Sequence, residues 1–120
     1  MNKDTNKERL VDKIVEAIRD IKGEDIKILD LSEIENAVAS TFIICSGNSN
    51  TQVSAIAGSI EERVRADLND RPWHVEGAEN ALWIVVDYVT VVVHIFQKEI
   101  REYYEIEELW GDAKVTCIGG

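Results

Sequence analysis

The sequence predicts a single α/β domain with a mixed sheet of about five strands flanked by helices. Two observations support this prediction. The stretch from Trp83 to Phe96 is almost continuously apolar and rich in β-branched side chains, interrupted only at residues 87–90, which is typical of two buried strands joined by a tight turn. Segments on either side repeat their apolar residues at helical spacing, so they supply helices to cover both faces of that pair.

Composition and charge narrow the class of protein. The chain has 23 acidic and 13 basic residues and a net charge of −10, which repels phosphate backbones and disfavours direct nucleic-acid binding. The same field is compatible with a basic protein partner, although acidity also serves solubility alone. No apolar run approaches the roughly 20 residues that span a bilayer, and the polar N-terminus fits neither a secretory signal nor a transit peptide. We therefore expect a cytoplasmic protein that does not enter a membrane.

The first half of the chain alternates helix and strand signals. The capping-box spacing of Thr5 and Glu8 predicts that a helix begins at Thr5, and Gly23 is its expected stop. A strand follows over residues 26–31, and its alternation of apolar and polar residues indicates an edge strand or a strand covered on one face only. Residues 41–46 are short, apolar and β-rich, which predicts a central strand.

The second half adds a helix, a short strand and a closing helical segment. Ser49 and Gln52 form another capping box, and the helix that they open is broken at Pro72. A short strand is expected over residues 73–77. Residues 115–120 are expected to fray, so the domain is taken as residues 1–113 with a C-terminal tail at 114–120. The closing helical segment ends at Gly111 and is built on Ile100, Tyr103, Tyr104, Ile106, Leu109 and Trp110.

Phosphate or metal chemistry has weak candidates. The Gly47-Asn48-Ser49 turn precedes a helix N-terminus, which can receive a phosphate, but it lacks a P-loop lysine and repeated glycines, so a plain capped turn is favoured. The carboxylates of Asp30, Glu76 and Asp87 are candidates for a magnesium site serving nucleotidyl transfer, or for turn formation. No Asp-x-Asp pair supports the metal. Two cysteines and two histidines suggest neither a disulfide framework nor a zinc site. No cofactor is expected.

Three further residues stand out within the apolar stretch. His94 lies among valines, where a hydrogen-bonded core histidine is more common than a catalytic one. Trp83 and Tyr88 are candidates either for core packing or for a protein-binding hot spot, a role in which both residue types are enriched. The residues by themselves therefore predict an acidic α/β domain without a convincing active site.

Several motifs follow one another in a distinctive order along the chain. They are Leu29-Asp30, Phe42-Ile43-Ile44, Gly47-Asn48-Ser49 with Gln52-Val53, Val75-Glu76-Gly77, Trp83 with Asp87-Tyr88, Val91-Val92-Val93-His94-Ile95-Phe96, and Arg101-Glu102-Tyr103-Tyr104 leading to Leu109-Trp110-Gly111-Asp112. In this order and spacing, the chain resembles the ribosomal silencing factor family, also called Iojap-like proteins, over about residues 8–113.

The resemblance implies a compact mixed-sheet fold related to nucleotidyltransferases but without their catalytic carboxylates, hence a protein that is not an enzyme. It implies binding to the fourteenth protein of the large ribosomal subunit, a steric block to joining of the small subunit, and lower translation when nutrients are scarce. Organellar relatives are linked to large-subunit assembly, and members often form homodimers in isolation. The residues that the resemblance assigns to partner binding are Trp83, Asp87, Tyr88, Glu76 and His94.

The chain departs from the family pattern at two places. Ser40-Thr41 stands where the family commonly has Asp-Tyr, which removes a contact or a cap. Val89 stands where a glycine commonly follows Asp-Tyr, and we expect from this β-branched residue that the turn has no positive φ there. The alternative function is a metal-dependent nucleotidyltransferase or another phosphate-binding enzyme.

Overall fold

One mixed sheet organises the computed structural model, which describes residues 3–34, 39–104 and 113–118. The sheet order is β3-β4-β5-β2-β1-β6, and neighbouring strands are antiparallel except for the parallel pair β2 and β5. The strands are β1 (Glu24–Asp30), β2 (Thr41–Gly47), β3 (His74–Glu76), β4 (Trp83–Asp87), β5 (Val91–Gln97) and β6 (Lys114–Ile118). The helices are α1 (Lys3–Asp20), α2 (Asn50–Leu68) and α3 (Lys98–Tyr104). The predicted α/β fold with a mixed sheet is confirmed, and among the described residues the sheet has six strands rather than about five.

The helices α1 and α2 cover one face of the sheet, here called the helix-covered face. Their apolar stripes meet the inward side chains of β2, β4 and β5 in one core cluster, since alternate strand residues point to the same side. The fully buried residues Ile14, Ile18, Val53, Ile56 and Ile60 belong to it. On the opposite face, α3 brings Ile100 against a smaller cluster around Leu29, Phe42 and Phe96. Helices therefore lie on both faces, as the sequence predicts.

The capping box at the start of α2 is confirmed for the Ser49 side chain, whereas the return bond from Gln52 reaches the Asn48 amide, one residue before the cap. The Gln52 amide N–H donates to Ser49 Oγ at 3.1 Å, and Gln52 Oε1 accepts from the Asn48 amide at 2.6 Å. The helix ends at Asn69, whose φ of 53° is left-handed, before Pro72. The start of α1 is different from the prediction, because α1 begins at Lys3 rather than at Thr5.

The stop of α1 uses a lysine rather than the predicted glycine. Lys22 adopts the left-handed conformation, with φ of 61°. Its amide donates to the carbonyl of Arg19, and the Gly23 amide donates to that of Ile18, which is the Schellman pattern of a helix end. Gly23 is still needed, since an added Cβ would lie 2.4 Å from Ile18 Cγ2.

The C-terminal residues correct two expectations. Residues 115–118 do not fray, because Lys114–Ile118 forms β6 and pairs antiparallel with β1 over Ile26–Asp30. The unpaired backbone groups on the outer side of β1 thereby find partners. As a result β1 is not an edge strand.

The predicted helical residues Ile106, Leu109, Trp110 and Gly111 lie outside the described residues. Within the described residues, no helix is long and apolar enough to cross a membrane.

Candidate functional site

Four of the five candidate residues lie on the face opposite α1 and α2. Cross-strand partners point to the same side of a sheet, and the register pairs Trp83 with Phe96, Val85 with His94 and Glu76 with Val85. Asp87 is opposite Val92, which is opposite Phe42. We call this surface the aromatic face; it consists of Phe42, Glu76, Trp83, Val85, Asp87, Val92, His94 and Phe96.

Trp83 is held in place by two neighbours on β5. Its indole stacks on Phe96 with ring centroids 4.8 Å apart and an interplanar angle of 26°. Its Nε1–H donates to Nδ1 of His94 at 3.2 Å. The side chain is only partly buried, so one side of the ring packs against the core and another reaches solvent. The ring is therefore packed on one part and exposed on another, so neither complete burial nor full exposure describes it.

The loop before β4 also constrains Trp83. Gly77 has φ of 84°, and an added Cβ there would lie 2.0 Å from the Trp83 carbonyl oxygen. Only glycine combines this conformation with such a close approach. The backbone of Trp83 is therefore fixed by Gly77, just as its ring is fixed by Phe96 and His94.

His94 is a buried, hydrogen-bonded histidine, as the more common interpretation of the sequence held. It is 7% exposed, and Phe42 packs edge-on against its ring with centroids 4.7 Å apart. Burial lowers the pKa of His94 to about 4, against a smaller opposing effect of the Asp87 carboxylate. The ring is therefore neutral near pH 7. Because Nδ1 accepts the indole proton, the neutral ring carries its own proton on Nε2.

The Nε2–H group of His94 has no hydrogen-bond partner in the part of the chain that the structure describes. A buried, unpaired donor costs stability of about 1–3 kcal/mol. Such a group is unusual in a face that serves only to be packed, since apolar residues of the same shape would avoid the cost.

Asp87 organises the turn between β4 and β5. Its Oδ1 accepts from the Val89 amide at 2.7 Å, and its carbonyl oxygen accepts from the Trp73 amide at 2.7 Å. The Thr90 amide donates to the Tyr88 carbonyl at 3.0 Å, two residues back, which closes a γ-turn centred on Val89. Val89 has φ of 75°. The expectation that this turn has no positive φ is therefore wrong: the bonds around Asp87 impose a conformation that a β-branched residue tolerates poorly.

Tyr88 does not join the other four candidates. It follows Asp87 and its side chain enters the helix-covered core, where it is 7% exposed. Burial raises its pKa, and the carboxylates of Glu61 and Asp70 raise it further. Its Oη has no hydrogen-bond partner among the described residues. The structure therefore separates Tyr88 from the aromatic face.

Glu76 lies at the open edge of the aromatic face. Its Oε1 is 2.8 Å from Nε2 of His74, and both side chains are exposed. Because β3 is the outermost strand on this side of the sheet, Glu76 adds negative charge at the rim beside Val85. It is available to a partner without rearrangement of the core.

Trp73, which is 79% exposed, is not among the residues that the sequence predicts for binding. The signal for it was present, since Trp73 directly follows Arg71-Pro72, a pair that breaks a helix and opens a loop.

Ser40, one of the two departures from the family pattern, has a structural role. Its Oγ donates to the Thr90 carbonyl at 2.9 Å, and its amide donates to the same oxygen at 3.0 Å. Ser40 therefore ties the connection before β2 to the β4–β5 turn.

The candidates for phosphate and metal binding are engaged in local structure. Asn48 and Ser49 serve the capping box of α2. Asp30 Oδ1 accepts from the Ser32 hydroxyl at 2.6 Å and from the Ser32 amide at 2.9 Å, and the hydroxyl bond is the main cause of the lowered pKa of Asp30. Among the described residues no three His, Cys, Asp or Glu side chains are grouped so that they could hold a metal ion.

The fold and the aromatic face together define a small α/β domain that presents a partly exposed tryptophan, stacked on Phe96 and bonded to His94, on a face that also carries Glu76 and Asp87. The family model described as "Ribosomal silencing factor during starvation" matches residues 3–118. The chain belongs to the ribosomal silencing factor family, which confirms the resemblance seen in the sequence.

Individual relatives agree with this assignment. The chain is 45% identical over 103 residues to the ribosomal silencing factor RsfS of Bacillus subtilis, covering 85% of each chain. It matches the crystal structure of protein CV0518 from Chromobacterium violaceum with a TM-score of 0.81 and 36% identity, covering 94% of this chain and 92% of that one. It is also 28% identical over 102 residues to the mouse "Mitochondrial assembly of ribosomal large subunit protein 1", covering 83% of this chain and 44% of the mouse protein.

Proposed function

We propose that the protein binds the large ribosomal subunit through the aromatic face, by contact with the subunit's fourteenth ribosomal protein. Bound there, it blocks joining of the small subunit and represses translation under nutrient limitation. The observation that carries the proposal is Trp83, whose ring is stacked on Phe96 and bonded to His94 while part of it remains exposed. Membership of the silencing factor family supports a ribosomal partner.

The geometry of Trp83 suits a binding hot spot. Aromatic anchors dominate many protein interfaces because they bury a large area and have few rotatable bonds. Here the ring is already fixed by Phe96, His94 and Gly77, so little conformational entropy remains to be lost on binding. Burial of the exposed part of the ring by a partner therefore contributes nearly its full free energy to binding.

Charge supports a basic protein as the partner. The chain carries a net charge of −10, and Glu76 and Asp87 lie on the aromatic face, Glu76 opposite Val85 and Asp87 at the other end of β4 from Trp83. Complementary charge speeds encounter and rejects wrong partners. Direct binding to ribosomal RNA is disfavoured by the same field. The proposed action is steric and non-catalytic, needs no cofactor and takes place in the cytoplasm, where the subunits associate.

The test is co-sedimentation of the purified protein with isolated large subunits, followed by gradient analysis of subunit joining. We expect wild-type protein to sediment with large subunits and to reduce the 70S peak. Trp83→Ala should lose most of that binding, whereas Val115→Ala, which truncates a 48% exposed valine on the opposite edge strand β6, is the matched control. Failure of the wild type to bind at micromolar concentration would refute the proposal. Magnesium-dependent release of pyrophosphate from a nucleotide, abolished by Asp87→Ala, would instead support the enzyme alternative.

The proposal includes a homodimer when the protein is free. A partly apolar surface intended for a partner can pair with its own copy about a two-fold axis. Such pairing would hide Trp83, so dimer and ribosome binding would compete. Light scattering over a concentration series should give a mass that rises toward twice 13.5 kDa. A constant monomer mass would refute the homodimer but would leave the proposed binding to the ribosome unaffected.

A further inference from the structure

Arg101 is a charged side chain buried between α3 and the sheet. It is 7% exposed. Its Nη1 donates to Ser46 Oγ at 2.8 Å and to the Asp25 carbonyl oxygen at 2.7 Å. Removing a guanidinium group from water is costly even when it is hydrogen-bonded, and apolar side chains of similar volume often serve stability equally well. Stability alone therefore does not account for an arginine at this position.

The serine that Arg101 contacts belongs to the row of cross-strand neighbours that contains Trp83. Trp83 of β4 is opposite Phe96 of β5, and Phe96 is opposite Ser46 of β2. Cross-strand partners point to the same side of a sheet, so the Ser46 hydroxyl lies on the side of the aromatic face. Neighbouring strands are about 4.8 Å apart, which places Ser46 about 10 Å from Trp83. Arg101 is therefore bonded just beyond Phe96, on the side away from Trp83.

The helix α3 is also connected to the surroundings of Trp83. It directly follows β5, and at their junction the Gln97 amide donates at 2.8 Å to the carbonyl of Leu82, the residue before Trp83. Ile100 packs against the same buried cluster as Trp83, and this cluster includes Phe96. Since the indole of Trp83 stacks on Phe96, the placement of α3 affects the support of the indole.

We infer that Arg101 is a positioning residue for partner binding, which holds α3 across β2 and β1 and thereby keeps Phe96 and Trp83 in the arrangement that the partner recognises. This inference rests on the proposed function, because it concerns the same binding surface. The planar guanidinium suits the role, since the N–H groups of Nη1 have fixed directions and reach acceptors on two strands. A lysine ammonium is a point charge on a flexible stem and would hold α3 less firmly.

The first measurement is binding of full-length variants to isolated large ribosomal subunits. We expect Arg101→Met to weaken binding about tenfold, as loss of coupling through packed side chains does, and Arg101→Lys to weaken it less. The double variant Arg101→Met/Ser46→Ala leaves no unpaired serine hydroxyl, so it keeps the test valid if Arg101→Met alone does not fold. Arg63→Met is the matched control, because Arg63 of α2 pairs with Glu16 and Asp20 of α1 on the helix-covered face. It should bind within about twofold of wild type.

The second measurement reports the position of the Trp83 indole directly. Its Nε1–H donates to His94, so its nuclear magnetic resonance signal should exchange with solvent more slowly than that of the exposed Trp73. Loss of one signal in Trp83→Phe assigns it. We expect faster exchange in Arg101→Met than in Arg63→Met. The comparison with Arg63→Met is needed because global unfolding speeds exchange in any destabilised variant.

The outcomes separate the inference from the function on which it rests. If Trp83→Ala loses binding while the folded Arg101 variants bind within about twofold of wild type, the positioning role is refuted and the proposed function stands. If Arg101→Met weakens binding but leaves the exchange of the Trp83 indole unchanged, Arg101 does not act through Trp83 and the inference is again wrong. If wild-type protein fails to bind large subunits, the proposed function and the positioning role fall together.

Discussion

The two faces of the sheet are built on different principles. On the helix-covered face, β5 contributes Val91, Val93 and Ile95, all fully buried under α1 and α2. On the aromatic face the same strand contributes Val92, His94 and Phe96, and the neighbouring strand adds the partly exposed Trp83 and Asp87. Strand β5 thus contributes only apolar side chains to the helix-covered face, whereas it gives the aromatic face a histidine whose Nε2–H has no partner among the described residues.

This difference separates the face that mainly stabilises the fold from the face that is proposed to bind a partner. Burial of apolar side chains contributes most of the stability of a fold, and the described core of the helix-covered face is apolar apart from the Tyr88 hydroxyl and the Cys45 thiol. The aromatic face keeps the unpaired Nε2–H of His94, and the β4–β5 turn beside it keeps the strained Val89, both of which cost stability. Features of that kind are common at functional sites.

The largest expected effect is in the helix-covered core. Ile60→Ala removes a fully buried side chain of α2 and should lower the free energy of unfolding by about 2–5 kcal/mol, through lost burial and a cavity. Val85→Ala on the aromatic face should cost about 1 kcal/mol or less, because Val85 is already partly exposed. Urea denaturation of both variants measures the difference. Equal losses would mean that the two faces contribute alike to the fold.

The second prediction concerns pH and His94. Its pKa is about 4 in the folded chain and about 6.5 in the unfolded chain. Between these values the unfolded state binds more protons, so stability rises with pH and is lost as the pH falls from about 6.5 to about 4. The gap corresponds to about 3 kcal/mol. Denaturation curves at pH 7 and pH 4.5 should show most of this loss.

Two variants isolate the contribution of His94. His94→Asn keeps an acceptor for the Trp83 indole but does not titrate, so it should flatten the pH dependence over this range. His74→Asn is the matched control, because His74 is exposed and lies on the edge strand. It should keep the wild-type slope. The same slope in His94→Asn as in wild type would contradict the buried, neutral histidine.

Trp83→Ala should affect binding and stability together, each by about 2 kcal/mol. The partly buried ring gives less stability than the roughly 3–5 kcal/mol of a fully buried aromatic residue, and a central aromatic anchor contributes about 2 kcal/mol or more to binding. Thermal unfolding and large-subunit binding should be measured on the same variant. If the folded Trp83→Ala variant kept wild-type affinity, the partner would have to contact a surface other than the aromatic face.

The smallest expected effect is a gain. Val89→Gly relieves a positive φ that costs a β-branched residue about 1–3 kcal/mol, against about 0.5–1 kcal/mol for the greater freedom of glycine in the unfolded chain. We expect a net stabilisation of about 1 kcal/mol, visible as a raised urea midpoint. Val115→Gly, a change at an exposed valine in strand β6, should instead destabilise. A loss of stability in Val89→Gly would mean that the turn is not strained.

The sequence alone determined the elements that depend on neighbours along the chain. The two strands from Trp83 to Phe96, their turn, and the capping box of Ser49 with Gln52 all follow from spacing and side-chain chemistry within a few residues. The resemblance also assigned Trp83 and His94 to the same predicted partner-binding set, and the structure places their side chains in hydrogen-bond contact. These signals are local, and local geometry was enough to predict them.

Only the tertiary structure decided which residues share a face and which backbone conformations are imposed from outside. Tyr88 follows Asp87 in sequence but enters the opposite core, because successive strand residues alternate sides. Strand β6 forms because β1 offers a free edge, which the composition of the tail does not reveal. Val89 takes a positive φ in a turn whose flanking carbonyls, those of Asp87 and Thr90, accept from the distant amides of Trp73 and Ser40. Trp73 remains exposed because its backbone pairs with Asp87 while its ring lies outside both cores, and such long-range constraints leave no periodic signal in the sequence.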